Sequence, residues 1–217
     1  MAERYLIPEK RVSTEIIVVN STFIATAGPV FSTDEAKEFI RSVRMAYPDA
    51  THNVPAYVIG YGNSVIAYCS DDGEPSGSSG RPVLAVLQGS GMGDAAIVVT
   101  RYFGGTKLGI GGLVHAYGDA AKAVLEIMPR AMKVPTYTTL VAVPYALFER
   151  TRLLLSKWKA QTLAEEFGAD VMITSRFLTN HFDGFQAELL EMTAGTIQAE
   201  IIEEDPQTIM PLDAFDE

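Results

Sequence analysis

Arg101 and Lys107 are two cations in one short stretch, TRYFGGTKLGIGGLVHAY, whose glycines stand at Gly104, Gly105, Gly109, Gly111 and Gly112. Such residues suit anion binding. Glycine lets backbone amides come close to a ligand, and a helix that starts there turns free N–H groups and the positive end of its dipole outward. His115 falls in the first turns of that helix and could join the site. The phosphate motifs of fixed spacing are not met. Lys107 precedes Leu108 where a P-loop needs Ser or Thr, and Gly109-Ile110-Gly111-Gly112-Leu113-Val114 lacks the third glycine of the dinucleotide fingerprint. A tightly packed backbone crossover would use the same glycines, so both readings stand. If the turn carries φ > 0, alanine at Gly105 or Gly111 should cost about 1 kcal/mol.

Asp71, Asp72 and Glu74 place three carboxylates in four residues, a set that could hold a hard cation. The EF-hand spacing is absent, and Asp72-Gly73 followed by Pro75-Ser76-Gly77 is strong turn chemistry, so the cluster reads as a turn. No set of His and Cys has metal-ligand spacing, and no metal or cofactor is expected. Catalysis would need a nucleophile with its base, or paired carboxylates. Ser76 or Ser78 with His115, and Asp72 with Glu74, are the candidates, and nothing in their spacing is diagnostic. His52, in the polar stretch Thr51-His52-Asn53, reads as a structural histidine of a loop. Cys69 is the one cysteine; it follows Ala67-Tyr68 in a strand-like run and reads as a buried thiol.

Residues 95–100 form an apolar, β-branched run, the mark of a strand buried on both faces. A Gly-rich turn over residues 101–109 follows, then a helix from Ile110. Leu113, Tyr117, Ala120, Val124 and Ile127 give that helix an apolar face, and His115, Asp119, Lys122 and Glu126 a solvated polar stripe. Upstream, Ile16-Ile17-Val18-Val19 and Phe23-Ile24-Ala25 read as strands joined by a turn at Asn20-Ser21-Thr22. Ser32-Thr33-Asp34-Glu35 is a capping box opening a helix that stops at Pro48. Residues 56–61 and 64–69 read as a hairpin around Gly62-Asn63, and Pro82 begins a short helix. Downstream come a strand at 136–143, a helix at 147–158, strands at 162–166 and 170–179, a helix at 181–192 and a strand at 196–203. This β-α-β-β-α-β order is ferredoxin-like. Residues 205–217, acidic and Pro-containing, are expected to fray.

The chain of 217 residues, 47% hydrophobic and 20% charged, is ordinary for a globular protein and long enough for two domains. Its charge is uneven. Residues 1–133 hold 12 Lys/Arg against 13 Asp/Glu, and residues 134–217 hold 5 against 14. The second part repels nucleic acid, so any RNA contact must be local and use the first. The expected division is 1–134 and 135–217. No leader and no membrane span are evident, and a single cysteine fits a reducing, cytoplasmic setting.

Four stretches, in order DATHNVPAY, SDDGEPSGSSGRPVL, VVTRYFGG and KLGIGGLVHAY, closely resemble the YigZ/Impact family over most of residues 49–118. Two positions depart: Asn20-Ser21-Thr22-Phe23 stands where the family carries a Lys-Ser-Arg-Phe type turn, and Val54 where it often has Cys. The resemblance implies an α+β protein of two domains, an N-terminal Impact-type βαβ sandwich similar to domain IV of elongation factor G and a C-terminal ferredoxin-like domain similar to that factor's last. Eukaryotic relatives are translation regulators that compete for an activator of a stress kinase, and bacterial ones have been suggested to bind nucleic acid. A non-enzymatic binding protein is therefore expected, associated with translation through RNA, the ribosome or a translation-related protein. The alternative is an enzyme or sensor acting on a small phosphorylated ligand. The ligand-binding residues in either case are Arg101, Gly104, Gly105, Lys107, Gly109, Gly111, Gly112 and His115, rimmed by His52, Asn53, Asp71, Asp72, Glu74 and Ser76.

Overall fold

The computed structural model describes residues 5–62 and 65–211. Their contacts divide the chain into two compact units, the first being Tyr5–Met132 and the second beginning at Lys133. In chain order the first unit holds β1 (Tyr5–Pro8), β2 (Val12–Val18), β3 (Ser21–Pro29), α1 (Thr33–Ala46), β4 (His52–Ile59), β5 (Ile66–Cys69), α2 (Gly80–Gly89), β6 (Ala95–Tyr102) and α3 (Gly109–Glu126). Five strands form an antiparallel sheet in the order β2-β3-β6-β4-β5.

The apolar run over residues 95–100 lies at the centre of that sheet. Because side chains alternate across a strand, Ala95, Ile97 and Val99 join a core with α2 and α3 on one face. Ala96 and Val98 join a smaller core with α1 on the other. The strand also runs further than its apolar residues suggest. Arg101 and Tyr102, expected in the turn, continue β6 because both flanking strands offer partners: Arg101 lies opposite Phe23 of β3 and His52 of β4. For the same reason His52 and Asn53, expected in a loop, begin β4.

The local chemistry explains the other boundaries. Val19 and Asn20 take φ of 45° and 64°, the two-residue turn whose twist suits a hairpin, so Ser21 is already a strand residue and not part of the turn. Ser32 caps α1 by accepting from the Glu35 amide at 3.1 Å, and Glu35 in return accepts from the Phe31 amide at 3.0 Å. Of the turn expected at Gly62-Asn63, Asn63 lies outside the described residues.

β7 (Arg130–Val143) carries the chain into the second unit, followed by α4 (Tyr145–Lys157), β8 (Gln161–Phe167), β9 (Val171–Leu178), α5 (Thr179–Met192) and β10 (Glu200–Pro211). The strands lie in the order β10-β7-β9-β8. Val141, Leu155, Ile173, Phe177, Phe185 and Leu189 make its core. The expected fraying from residue 205 is corrected: β10 continues to Pro211, with Met210 buried and the Thr208 and Thr136 hydroxyls 2.6 Å apart. β10 pairs with the long β7, and that pairing outweighs the acidic composition. Residues 212–217 lie outside the description. Among the described residues, no helix is long and apolar enough to cross a membrane.

Candidate functional site

The turn after β5 builds the site. Asp71 accepts from the amides of Gly77, Ser79 and Gly80 at 2.8, 3.2 and 2.9 Å and from the Ser79 hydroxyl at 2.9 Å. Partial burial pushes its carboxyl up, but these four donors outweigh that and hold it below the ordinary aspartate value. It thereby caps α2, whose own N-cap residue Ser79 makes no capping bond. Asp72, at φ 50°, ties three elements together. Its carboxylate accepts from the Asn53 amide at 2.7 Å and from Arg44 at 2.5 Å, and its carbonyl accepts from His52 Nδ1 at 2.7 Å. Gly73 follows at φ 88° against the His52 ring. Positive φ at two successive residues turns the chain inward, so Glu74 ends with its side chain only 4% exposed.

Glu74 meets Arg101 at the end of β6. Arg101 Nη1 donates to Glu74 Oε1 at 2.7 Å, and the Tyr117 hydroxyl of α3 donates to the same oxygen at 2.7 Å. The guanidinium lies 5.4 Å from the ring centre of Phe23 and 5.5 Å from that of Phe103, and its Nη2 reaches the Ser21 hydroxyl at 3.4 Å. Burial, then the hydrogen bond and negative charge of Glu74, hold Tyr117 far above its ordinary value, so the phenol stays protonated as a donor. A buried ion pair carries a desolvation cost that offsets much of its attraction, which makes the cluster expensive to maintain as mere packing.

These groups floor a cleft of about 380 Å³. Phe103, Lys107 and Ile110 stand exposed around it. Lys107 has no ion-pair partner among the described residues. The cleft also reaches Gly109, where α3 begins with no side-chain cap on its N-cap residue Leu108 and no acid in its first turn. The amides of that turn and the helix dipole are therefore unmatched. The approach to α3 depends on Gly104, where a Cβ would stand 1.9 Å from the Asn20 carbonyl oxygen. Gly105 and Gly109 take φ of 85° and 71°.

The structure thus brings Arg101, Lys107, Gly109, His52 and Glu74 to one cleft and gives the other candidates different places. Arg101 lines the cleft as expected, but it is buried and its charge is matched by Glu74, so it stands there as a wall. His115 is exposed on α3, two residues on from Leu113, which lines the cleft; that spacing turns it to the far side of the helix, so no pairing with Ser76 or Ser78 forms. Ser76 is exposed, and the Ser78 hydroxyl donates to the Pro75 carbonyl at 2.7 Å. Asn53 is buried, accepting from the Thr100 hydroxyl at 2.7 Å. Gly111 has neither a positive φ nor an atom within 4 Å of its would-be Cβ, so the fold does not need glycine there. Burial first, then the charge of Asp71, push the Cys69 thiol up, away from a reactive thiolate. The helical pattern placed Tyr117 in the core without showing its hydroxyl at Glu74; a tyrosine on a face of aliphatic residues was the available signal, because a buried hydroxyl needs a partner. Phe103 gave no such signal.

The Impact N-terminal domain family matches residues 19–125. The IMPACT family member YigZ of Escherichia coli (strain K12) is 34% identical over 203 residues, which cover 93% of this chain and 100% of that protein. An IMPACT family member of Haemophilus influenzae is 32% identical over 204 residues, covering 94% and 98%. A crystal structure of a hypothetical protein, 33% identical, superposes with a TM-score of 0.61 and covers 94% of this chain and 100% of its own.

Proposed function

The chain belongs to the Impact family, and we propose that it is a non-enzymatic binding protein associated with the regulation of translation, whose anion-binding surface is the uncapped start of α3 with Lys107 beside it. The observation that carries this reading is the combination of an exposed lysine with no ion-pair partner among the described residues and a first turn of α3 with no side-chain cap, at the mouth of one cleft. The resemblance to the Impact family supplies the link to translation. The partner would be RNA, the ribosome or a translation-related protein. The strand order β10-β7-β9-β8 supports a ferredoxin-like second unit, and the sheet flanked by α1 and by α2 with α3 supports the likeness of the first to elongation factor G domain IV. A cytoplasmic setting fits the single cysteine.

With a formal charge of −10 on the chain, contact with a polyanion should be weak, local and steeply salt-dependent. The test is a titration of inorganic phosphate and of ribosomal RNA at low and moderate salt, wild type beside Lys107→Ala. Arg101 is left intact because its removal would strand Glu74. The expected result is lost or strongly weakened binding in a variant that remains folded. Equal binding by both proteins rejects this site. Binding by neither assigns the surface to a protein partner.

A further inference from the structure

With the His52 ring neutral, two hydrogen-bond acceptors face each other in the floor of the cleft, with no donor from the described residues between them. Glu74 Oε1 is filled by Arg101 and Tyr117, but Oε2 accepts no hydrogen bond from any described residue. The side chain is nevertheless 4% exposed. His52 Nδ1 is bound to the Asp72 carbonyl at 2.7 Å. A carbonyl only accepts, so Nδ1 carries a proton, and whenever the ring is neutral Nε2 is an acceptor. That nitrogen lies 3.8 Å from Glu74 Oε2, beyond hydrogen-bond distance. The Glu74 oxygen is open to the cleft, so it is free to accept from a group that enters there.

Resting on the reading of the cleft mouth as an anion site, we infer that the ligand is a phosphorylated sugar with two adjacent free hydroxyls. The phosphate sits at Lys107 and the first-turn amides of α3, and the hydroxyls donate to Glu74 Oε2 and His52 Nε2. Paired acceptors could also seat an ammonium group, but Lys107 and the positive end of α3 line the same cleft and disfavour a cation there. A vicinal diol supplies two donors on neighbouring atoms without charge, one for each acceptor. The cleft, at about 380 Å³, is within the size range of small-molecule sites. Phe103, 46% exposed with Arg101 against its ring, leaves aromatic surface on which a base could stack. The diol could therefore belong to a free sugar phosphate, to a mononucleotide, or to the 3′ end of an RNA, whose last ribose alone keeps both hydroxyls.

Calorimetric titration of the full chain distinguishes these sources and tests the inference. The probes are inorganic phosphate, ribose 5-phosphate, adenosine 5′-monophosphate, its 2′-deoxy form, and a short RNA with its 3′-terminal diol either intact or removed as the 2′,3′-dideoxy nucleotide. Each diol-bearing member of the two matched pairs is expected to bind about tenfold or more tightly than its counterpart, the scale of one lost hydrogen bond to a charged group. The diol form preferred most strongly over inorganic phosphate identifies the source. Glu74→Gln should erase the preference while leaving phosphate binding. His52→Ala, which leaves the Arg101–Glu74 pair intact, should reduce it and serves if the first variant does not fold. Phosphate binding with no preference for either diol partner in wild type overturns the inference and leaves the anion site standing. Failure of every phosphorylated probe removes the anion site, and the inference with it.

Discussion

The two units bury their polar groups differently. In the second, the buried polar side chains are hydroxyls that serve the fold: Thr151 donates to the Leu147 carbonyl at 3.0 Å, Thr139 to the Ser175 carbonyl at 3.3 Å, and Thr136 meets Thr208. Its ion pairs stay near the surface, as Lys157–Glu188 does at 2.7 Å with the lysine 61% exposed. Unpartnered buried atoms occur in both units: Trp158 Nε1, Ser175 Oγ and Arg176 Nε in the second and Arg101 Nε in the first. The first unit buries an ion pair, adds a protonated tyrosine to one carboxylate oxygen and leaves the other oxygen facing a histidine. Hydroxyls of the first kind cost little and repay it locally. Charges of the second kind are hard to explain by stability, and they sit where a cleft opens. The contrast supports the proposal of ligand chemistry in the first unit, while the second, with 14 acids against 5 bases over residues 134–217, is poorly suited to polyanions.

The most severe way to break this comparison is to remove one partner of each ion pair. Arg101→Met leaves the Glu74 carboxylate in a buried position without its cation and should cost about 3–5 kcal/mol. Lys157→Ala, in the exposed pair of the second unit, should cost about 0–1 kcal/mol. Denaturant midpoints of the two variants decide it: similar losses would mean that the buried pair is no more coupled than a surface one. Arg101→Met combined with Glu74→Leu and Tyr117→Phe should recover much of the loss, since apolar groups of similar volume avoid the desolvation cost and leave no buried hydroxyl without a partner.

A smaller effect is expected at Asp71, the carboxylate that caps α2 from the preceding turn. Asp71→Ala removes a cap and should cost about 1–2 kcal/mol at neutral pH. Its folded carboxyl lies below the ordinary value, so the contribution is complete above the unfolded value of about 3.9 and fades as pH falls through the folded one. Stability curves of wild type and variant should therefore begin to converge as pH falls below about 4 and meet only below the folded value. A gap that persists unchanged into acid would show that the aspartate acts through shape and not through its charge.

How much of this was legible in the sequence depends on the range of the interaction. The central strand, the capping box of α1 and the apolar face of α3 follow from local pattern, because period and cap chemistry are properties of neighbours. The end of β6 was not legible. Arg101 reads as turn, and only its cross-strand partners Phe23 and His52 make it strand. The same holds for the carboxylates. Asp71, Asp72 and Glu74 look alike as residues, yet one caps a helix, one ties β4 to α1, and one is buried beneath a cleft. Those roles are set by donors six to 43 positions away: Gly77 for Asp71, Arg44 and Asn53 for Asp72, Arg101 and Tyr117 for Glu74, the last pair at separations of 27 and 43 residues. His115 shows the reverse error, since nearness in sequence to the glycines suggested a site that the helical turn rotates away.

The smallest expected change in stability is the most informative about the cleft. Gly111 lies in the first turn of α3, exposed, without positive φ and with nothing near the position of a Cβ. Gly105 is different, because its φ of 85° should make alanine costly there. At Gly111 alanine relieves the conformational entropy of glycine in a helix, so Gly111→Ala should leave the urea midpoint unchanged or raise stability by up to about 1 kcal/mol. A glycine that the fold does not require is explained if the space over the first-turn amides is needed for a ligand to approach. The added methyl group should then weaken phosphate binding even though the protein is as stable as wild type or more so. Both quantities come from one preparation, a urea titration and a phosphate titration. A loss of stability of about 1 kcal/mol would return Gly111 to the fold. Unchanged stability with unchanged binding would move the anion away from the α3 amides and onto Lys107 alone.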